Sequence, residues 1–373
     1  MLIALLIVAV LGLAYANGSN DNFKAAATLY GARTLSYRGA LTLATAAQIA
    51  GSLASVLLAG KLLAAFSGKG LVPVEVVQAP VFLVSVALGG GGTVLLATRV
   101  GLPVSTTHAL IGGLVGAGLA LSPGHVAWNA LGAKYFLPLL ISPLFALVGT
   151  AGLYPLARWL RRRLGVEPTT CLCVEGIVEP VSITDSGALI LRRTGTRLTV
   201  AQGAACDRSY AGTLVGVSAQ RLVDAAHLTS AFALGFARGL NDTPKVLALL
   251  VAAGWSGLDP RVSLVIVAAV MAAGGLLHSR RLAETLGHRI TSMNHGQGFL
   301  ANGIASALVI GASLVGSPVS TTHVSTGAIF GIGCWSGSAD WRVAGGILLA
   351  WVATLPLGAL LALGAAKALL MIG

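Results

Sequence analysis

The sequence predicts an all-α polytopic membrane protein, and three observations carry that reading. Of its 373 residues only 10% are charged and 55% are hydrophobic, with a mean hydropathy of +0.86, whereas roughly 25% of a soluble domain is charged. Its 49 glycines suit closely packed transmembrane helices. Apolar stretches long enough to cross ~30 Å of hydrocarbon recur along the whole chain. The formal net charge of +12 could suggest a nucleic-acid partner, but most Lys and Arg lie between apolar runs and not on a mixed basic and polar face. No nucleic acid is therefore expected, and the basic excess orients the chain in the bilayer.

The stretches run, in order, over residues 1–36, 39–65, 72–100, 104–122, 134–156, 227–254, 261–280, 299–316, 319–335 and 342–372. The first has no basic n-region and no small-residue cleavage pattern, so it reads as a span and not a signal peptide. Gly, Pro or polar residues interrupt 1–36, 72–100 and 227–254 near their middles, which predicts broken helices or re-entrant hairpins there. The total is about 10–12 membrane segments. Basic clusters at Arg33 and Arg38, at Arg158 with Arg161, Arg162 and Arg163, and at Arg280, Arg281 and Arg289 mark the cytoplasmic side. The N-terminus then starts outside, in a multi-pass protein of the inner or plasma membrane.

Residues 163–226 differ from the rest, with alternations such as Ala188-Leu189-Ile190-Leu191 and Arg197-Leu198-Thr199-Val200 between turn residues. They predict a small β-rich cytoplasmic insertion. The domains expected are 1–160 as a first transmembrane repeat, 161–226 as the cytoplasmic insertion and 227–373 as a second transmembrane repeat. Cys171, Cys173 and Cys206 fall in that insertion and Cys334 outside it. Three thiols without a fourth ligand make a weak metal site, so reduced thiols are the expectation.

The halves repeat one another. Gly18-Ser19-Asn20-Asp21-Asn22-Phe23-Lys24 matches Gly239-Leu240-Asn241-Asp242-Thr243-Pro244-Lys245, sharing G-x-N-D-x-x-K at an offset of 221. Eighteen residues from Gly101 match eighteen from Gly316 at 10 positions, including Pro-Val-Ser-Thr-Thr-His in both, at an offset of 215. Five spans separate the two Asn-Asp elements. Five is odd, so the repeats have inverted topology, an arrangement typical of secondary transporters whose discontinuous helices meet near the midplane.

Each motif implies a chemistry. A carboxylate inside an apolar span costs roughly 2.5–3.5 kcal/mol on the insertion scale, so Asp21 and Asp242 need a compensating role. Set beside Asn20, Asn22 and Asn241 where a helix can break, they suit a sodium ion or a proton as coupling ion. An Asn-Asp pair could instead merely cap a half-helix, but a cap needs no charge. In each hexapeptide the proline stops one helix, and Ser105, Thr106, Thr107 or Ser320, Thr321, Thr322 open the next. Hydroxyls and free N–H groups at a helix N-terminus make an oxyanion site, and inverted copies aim two such termini at one anion. His108 and His323 could donate to that anion or simply pack. Lys24 and Lys245, one turn after the Asp residues, could pair with them or attract the anion. The run Gly89–Gly92 lacks a nucleotide-loop pattern and reads as close helix packing or a hinge.

At GSNDNFK, GLNDTPK, the two PVSTTH hexapeptides and residues 262–333, including GGLLHSRRLAETLG, the chain resembles the inorganic phosphate transporter (PiT) family. The resemblance implies import of inorganic phosphate by cation symport through alternating access, with sodium or a proton as the coupling ion and no other cofactor. It implies that Asn20, Asp21, Asn241 and Asp242 serve the cation and anion sites and that the Ser-Thr-Thr residues contact the anion. Where many members look to carry a carboxylate in the second helix, this chain has Gln48.

Related members carry sulfate, which would fit the same donors. An anion channel is the alternative of another class. An intramembrane aspartyl protease would need Tyr-Asp and Gly-x-Gly-Asp contexts, which are absent, so no enzymatic activity is expected. The partners are inorganic phosphate, sodium or a proton and the lipid bilayer, with a homodimer left open. Of the twelve acids, six fall in 163–226 and Glu75, Asp259, Glu284 and Asp340 lie near span ends. Asp21 and Asp242 alone remain deep in the membrane.

Overall fold

A computed structural model describes residues 2–372 apart from 168, 184–188, 203–215, 255–258, 287–292 and 338. The longer helices are α1 (Leu2–Asp21), α2 (Tyr37–Leu58), α3 (Pro80–Val100), α4 (Thr106–Leu121), α5 (Leu137–Arg163), α6 (Ala219–Ala252), α7 (Pro260–His278), α8 (His295–Val315), α9 (Thr321–Ser336) and α10 (Trp341–Ile372). Strands β1 (Thr170–Ile183), β2 (Leu189–Gln202) and β3 (Gly216–Ser218) lie between α5 and α6 and form one antiparallel sheet in the order β2-β1-β3. Two compact units result, one of residues 1–154 with 227–373 and one of residues 155–226.

Among the described residues seven helices are long and apolar enough to cross a membrane: Leu2–Gly31, Tyr37–Leu58, Pro80–Val100, Trp128–Arg163, Pro260–His278, His295–Val315 and Trp341–Ile372. The other expected spans take different forms. Both α4 and α9 have 16 residues, about 24 Å at 1.5 Å per residue, too short to cross ~30 Å of hydrocarbon as straight rods. Their apolar composition disguised their length. The predicted interruption of 227–254 is also corrected, because α6 runs unbroken through the Asn-Asp motif with Pro244 in its interior. Neighbouring helices in a membrane bundle make such a proline tolerable. In the first copy, by contrast, α1 gives way at Asn22–Ala26 to a 3₁₀ turn and then to a short helix Ala27–Gly31. The 72–100 stretch breaks ahead of Pro80, not at its glycines, with a separate short helix Val74–Val77.

Packing in the membrane unit relies on helices that touch backbone to backbone, and it follows the repeat. A Cβ on Gly112 or Gly116 of α4 would strike the carbonyls of Leu355 and Ala359 on α10, while one on their counterparts Gly327 and Gly331 of α9 would strike those of Pro143 and Leu147 on α5. The same reciprocity links Gly18 of α1 to Met271 of α7 and Gly239 of α6 to Gln48 of α2. Each half thus supplies the helix that covers the other half's motif. The glycines at 89–92 lie inside the unbroken α3, with Gly89 against Ala362 and Gly91 against Leu13, which is the close packing predicted.

Cys171 is disulfide-bonded, which departs from the expectation of reduced thiols. Cys206 lies outside the described residues, and Cys334 is free and exposed.

Candidate functional site

The two hexapeptides fold alike. Gly101 and Gly316 end α3 and α8 at φ 72° and 78°, the left-handed conformation glycine adopts without steric cost. A short extended link follows. Ser105 and Ser320 then cap α4 and α9, their side chains accepting from the backbone N–H of His108 and His323 at 3.2 Å. Capping leaves the first N–H groups of both helices free of intrahelical partners and their positive dipole ends open. The two ends lie side by side: the His108 and His323 ring centroids are 4.4 Å apart, and His323 stacks on Trp351 at 3.8 Å.

The Asn-Asp motifs close on these ends, each reaching into the other half. Asp21 Oδ2 accepts from Thr106 Oγ1 at 2.8 Å and from Asn17 Nδ2 at 2.9 Å, while Oδ1 takes the Lys24 ammonium. Lys24 Nζ also donates to Asn20 Oδ1 at 3.0 Å, to the Val104 carbonyl at 2.7 Å and to Thr322 Oγ1 at 2.6 Å. In the second copy Lys245 Nζ donates to Thr107 Oγ1 at 2.7 Å and the Val319 carbonyl at 2.8 Å, with Asp242 Oδ1 at 3.5 Å. Thr107 and Thr322 are repeat counterparts, as are Val104 and Val319. The lysine of each half therefore holds the threonine of the other.

The remaining predicted residues fall around this core. Asn20 ties its motif to the link by donating to Thr98 Oγ1 and the Leu102 carbonyl, both at 3.0 Å. Asn241 donates to Asp242 Oδ1 at 2.9 Å and to the Val319 carbonyl at 3.3 Å. Asn22 makes no bond to either carboxylate, donating to Thr45 Oγ1 at 2.7 Å and accepting from Arg238 at 3.1 Å. Thr321 is buried at the first position of α9 and takes no part in these bonds. Gln48, fully buried, donates to Ser52 Oγ at 2.8 Å, and its Oε1 has no hydrogen-bond partner among the described residues.

Arg238 is the residue that the sequence reading missed. It is 2% exposed, donates to Asn17 Oδ1 at 2.9 Å and Asn22 Oδ1 at 3.1 Å, and lies with Nε 3.6 Å from Asp242 Oδ2. Its position is the repeat counterpart of Asn17, at the same offset of 221. A signal was there: Arg238 precedes Asp242 by four residues, on the same helix face.

Among the described residues the buried Asp, Glu, Lys and Arg side chains are Asp21, Asp242, Lys24, Lys245 and Arg238. Three cations against two carboxylates leave a formal surplus of one positive charge, beside two helix N-termini. A buried charge without compensation is costly, so this arrangement favours an anion. A cavity of about 450 Å³ lined by Lys61, Lys69, Lys134, Tyr135 and Gly316–Pro318, with no acid in its wall, adjoins the link into the second hexapeptide. No cluster of three His, Cys, Asp or Glu that could hold a metal occurs among the described residues.

The chain is similar to known proteins over nearly its whole length. The sequence profile described as the phosphate transporter family matches residues 17–362. A protein of Mycobacterium bovis named "Probable low-affinity inorganic phosphate transporter" is 30% identical over 96% of this chain and 76% of its own length. A protein of Pyrococcus horikoshii, named as a phosphate permease, is 27% identical over 100% of this chain and 98% of its own. A solved structure titled "The sodium-dependent phosphate transporter" superposes with a TM-score of 0.76 over 100% of both chains at 19% identity, which shows a shared fold.

Proposed function

Because the chain belongs to the phosphate transporter family, and is thus a multi-pass membrane protein and not an enzyme, we propose that it imports inorganic phosphate by cation-coupled alternating access. The observation that carries this reading is the reciprocal bonding of Lys24 to Thr322 and Lys245 to Thr107, set beside two adjacent helix N-termini and one surplus positive charge. Phosphate would lie against the free N–H groups and hydroxyls of Ser105, Thr106, Thr107, Ser320, Thr321 and Thr322, with Asn20 and Asn241 fixing the links. Asp21 and Asp242 would carry the coupling to a sodium ion or a proton.

The cross-half packing of α4 on α10 and of α9 on α5 supports reading 1–160 and 227–373 as inverted repeats that rock around a central site. The lysine-lined cavity would concentrate the anion at its mouth. The test is uptake of labelled phosphate into proteoliposomes with sulfate as competitor. Saturable uptake that excess sulfate leaves unchanged is expected; equal displacement by sulfate would widen the substrate to tetrahedral oxyanions, and currents far above carrier turnover would replace the carrier by a channel.

A further inference from the structure

Among the described residues the hydrogen-bond and ion-pair partners of the two buried lysines are all oxygens, with the Phe66 ring also 5.4 Å from Lys245 Nζ. Around Lys24 Nζ stand a carboxylate (Asp21), a carboxamide (Asn20), a peptide carbonyl (Val104) and a hydroxyl (Thr322), the neutral three at 2.6–3.0 Å. Around Lys245 Nζ stand the counterpart carboxylate, carbonyl and hydroxyl of Asp242, Val319 and Thr107. Mixed carboxylate, carbonyl and hydroxyl oxygens of this kind are what a small hard cation takes as ligands. Here they surround a covalently attached cation, and they include the carboxylates on which a coupling sodium would depend.

The charge balance points the same way. A sodium ion sharing these oxygens would stand within a few ångströms of an ammonium, in a site that already carries one more buried cation than carboxylates. Repulsion at that range in a dry interior is far stronger than in water. Nor does α2 offer a compensating acid: it carries no Asp or Glu, and the residue that donates to Ser52, itself bonded to Thr243, is the neutral Gln48.

We propose that Lys24 and Lys245 are tethered cations standing where co-transported sodium would bind, so that phosphate uptake by this chain is independent of sodium. The inference rests on the phosphate-import reading above and narrows its coupling ion. Lys24→Ala would empty one oxygen cage and open it to sodium.

The test uses the full-length protein in proteoliposomes, measuring labelled phosphate uptake with sodium or choline outside at equal pH and ionic strength. Wild-type uptake should differ by less than about twofold between the two media, with no phosphate-dependent flux of labelled sodium. Lys24→Ala should become sodium-stimulated by about tenfold or more, and sodium, but not choline, should raise its melting temperature, as binding to the folded state requires. Saturable sodium stimulation of the wild type, or phosphate-dependent sodium flux, would overturn the proposal. So would a Lys24→Ala variant that melts cooperatively yet neither binds nor responds to sodium, with Lys245→Ala giving the same result. Absence of wild-type phosphate uptake in both media would overturn the phosphate reading itself, an outcome distinct from sodium dependence.

Discussion

Asp21 is held by Lys24, Thr106 and Asn17 in a site it shares with Thr322 of the other half. Removing its charge leaves a buried ammonium with neutral partners only, and breaking a buried pair from one side costs roughly 3–5 kcal/mol. Asp21→Asn is therefore expected to lower the melting temperature in detergent and to abolish coupled uptake; normal values of both would refute its role. Ser105→Ala and Ser320→Ala each remove an N-cap, worth about 1 kcal/mol, and are expected to raise the phosphate concentration for half-maximal uptake with little effect on cation dependence. Kinetics at fixed pH separate the two effects. The two aspartates were legible in the sequence because a carboxylate deep in an apolar run has no bland explanation. Arg238 was not, because its repeat counterpart is the neutral Asn17, so the likeness between the halves does not single it out.

At the level of helices, the repeat predicted which segments correspond but not how long each one is. Hydropathy reports how apolar a segment is, and α4 and α9 are apolar on nearly every side because other helices enclose them, not lipid. Likewise G-x-N-D-x-x-K gave no sign that one copy would wind as a 3₁₀ turn and the other remain α-helical. The glycines were more informative, since their spacing reappears as backbone contact. Gly116→Ala would drive a methyl into the Ala359 carbonyl, whereas a Cβ at Gly364 meets nothing within 4 Å. Overpacking of this kind costs typically 1–3 kcal/mol, while an unhindered Gly→Ala in a helix gains up to about 1 kcal/mol. Thermal unfolding should thus show Gly116→Ala destabilised and Gly364→Ala unchanged or stabilised; a similar response from both would mean that α4 and α10 do not make this contact.

Across the whole molecule, neither half contains a finished site. The hexapeptide of residues 1–160 lacks α10 and Lys245, and its Lys24 lacks Thr322. Residues 1–160 expressed alone should show no cooperative melting transition and no phosphate binding, while co-expression with residues 161–373 should restore labelled uptake. Recovery of binding by the first half alone would show that the reciprocal bonds are dispensable. The duplicated motifs pointed to related halves, and the alternations at 188–191 and 197–200 pointed to strand in the stretch that β2 covers. The exchange of partners between halves was not legible, because a sequence repeat records likeness and not contact.

That exchange also sets a schedule. Lys24 and Thr322 are 298 residues apart, so at about 5–20 residues per second a ribosome needs roughly 15–60 s to deliver the second partner after the first. Throughout that interval α1 resides in the bilayer with Asp21 and Lys24 limited to partners from the first half, chief among them each other, Asn17 and Asn20. The ion pair within one helical turn is thus also a provision for biogenesis, keeping the earliest charged segment nearly neutral until the last quarter of the chain arrives, and a nascent chain arrested before residue 320 would display to membrane quality control the polar groups that the finished transporter hides.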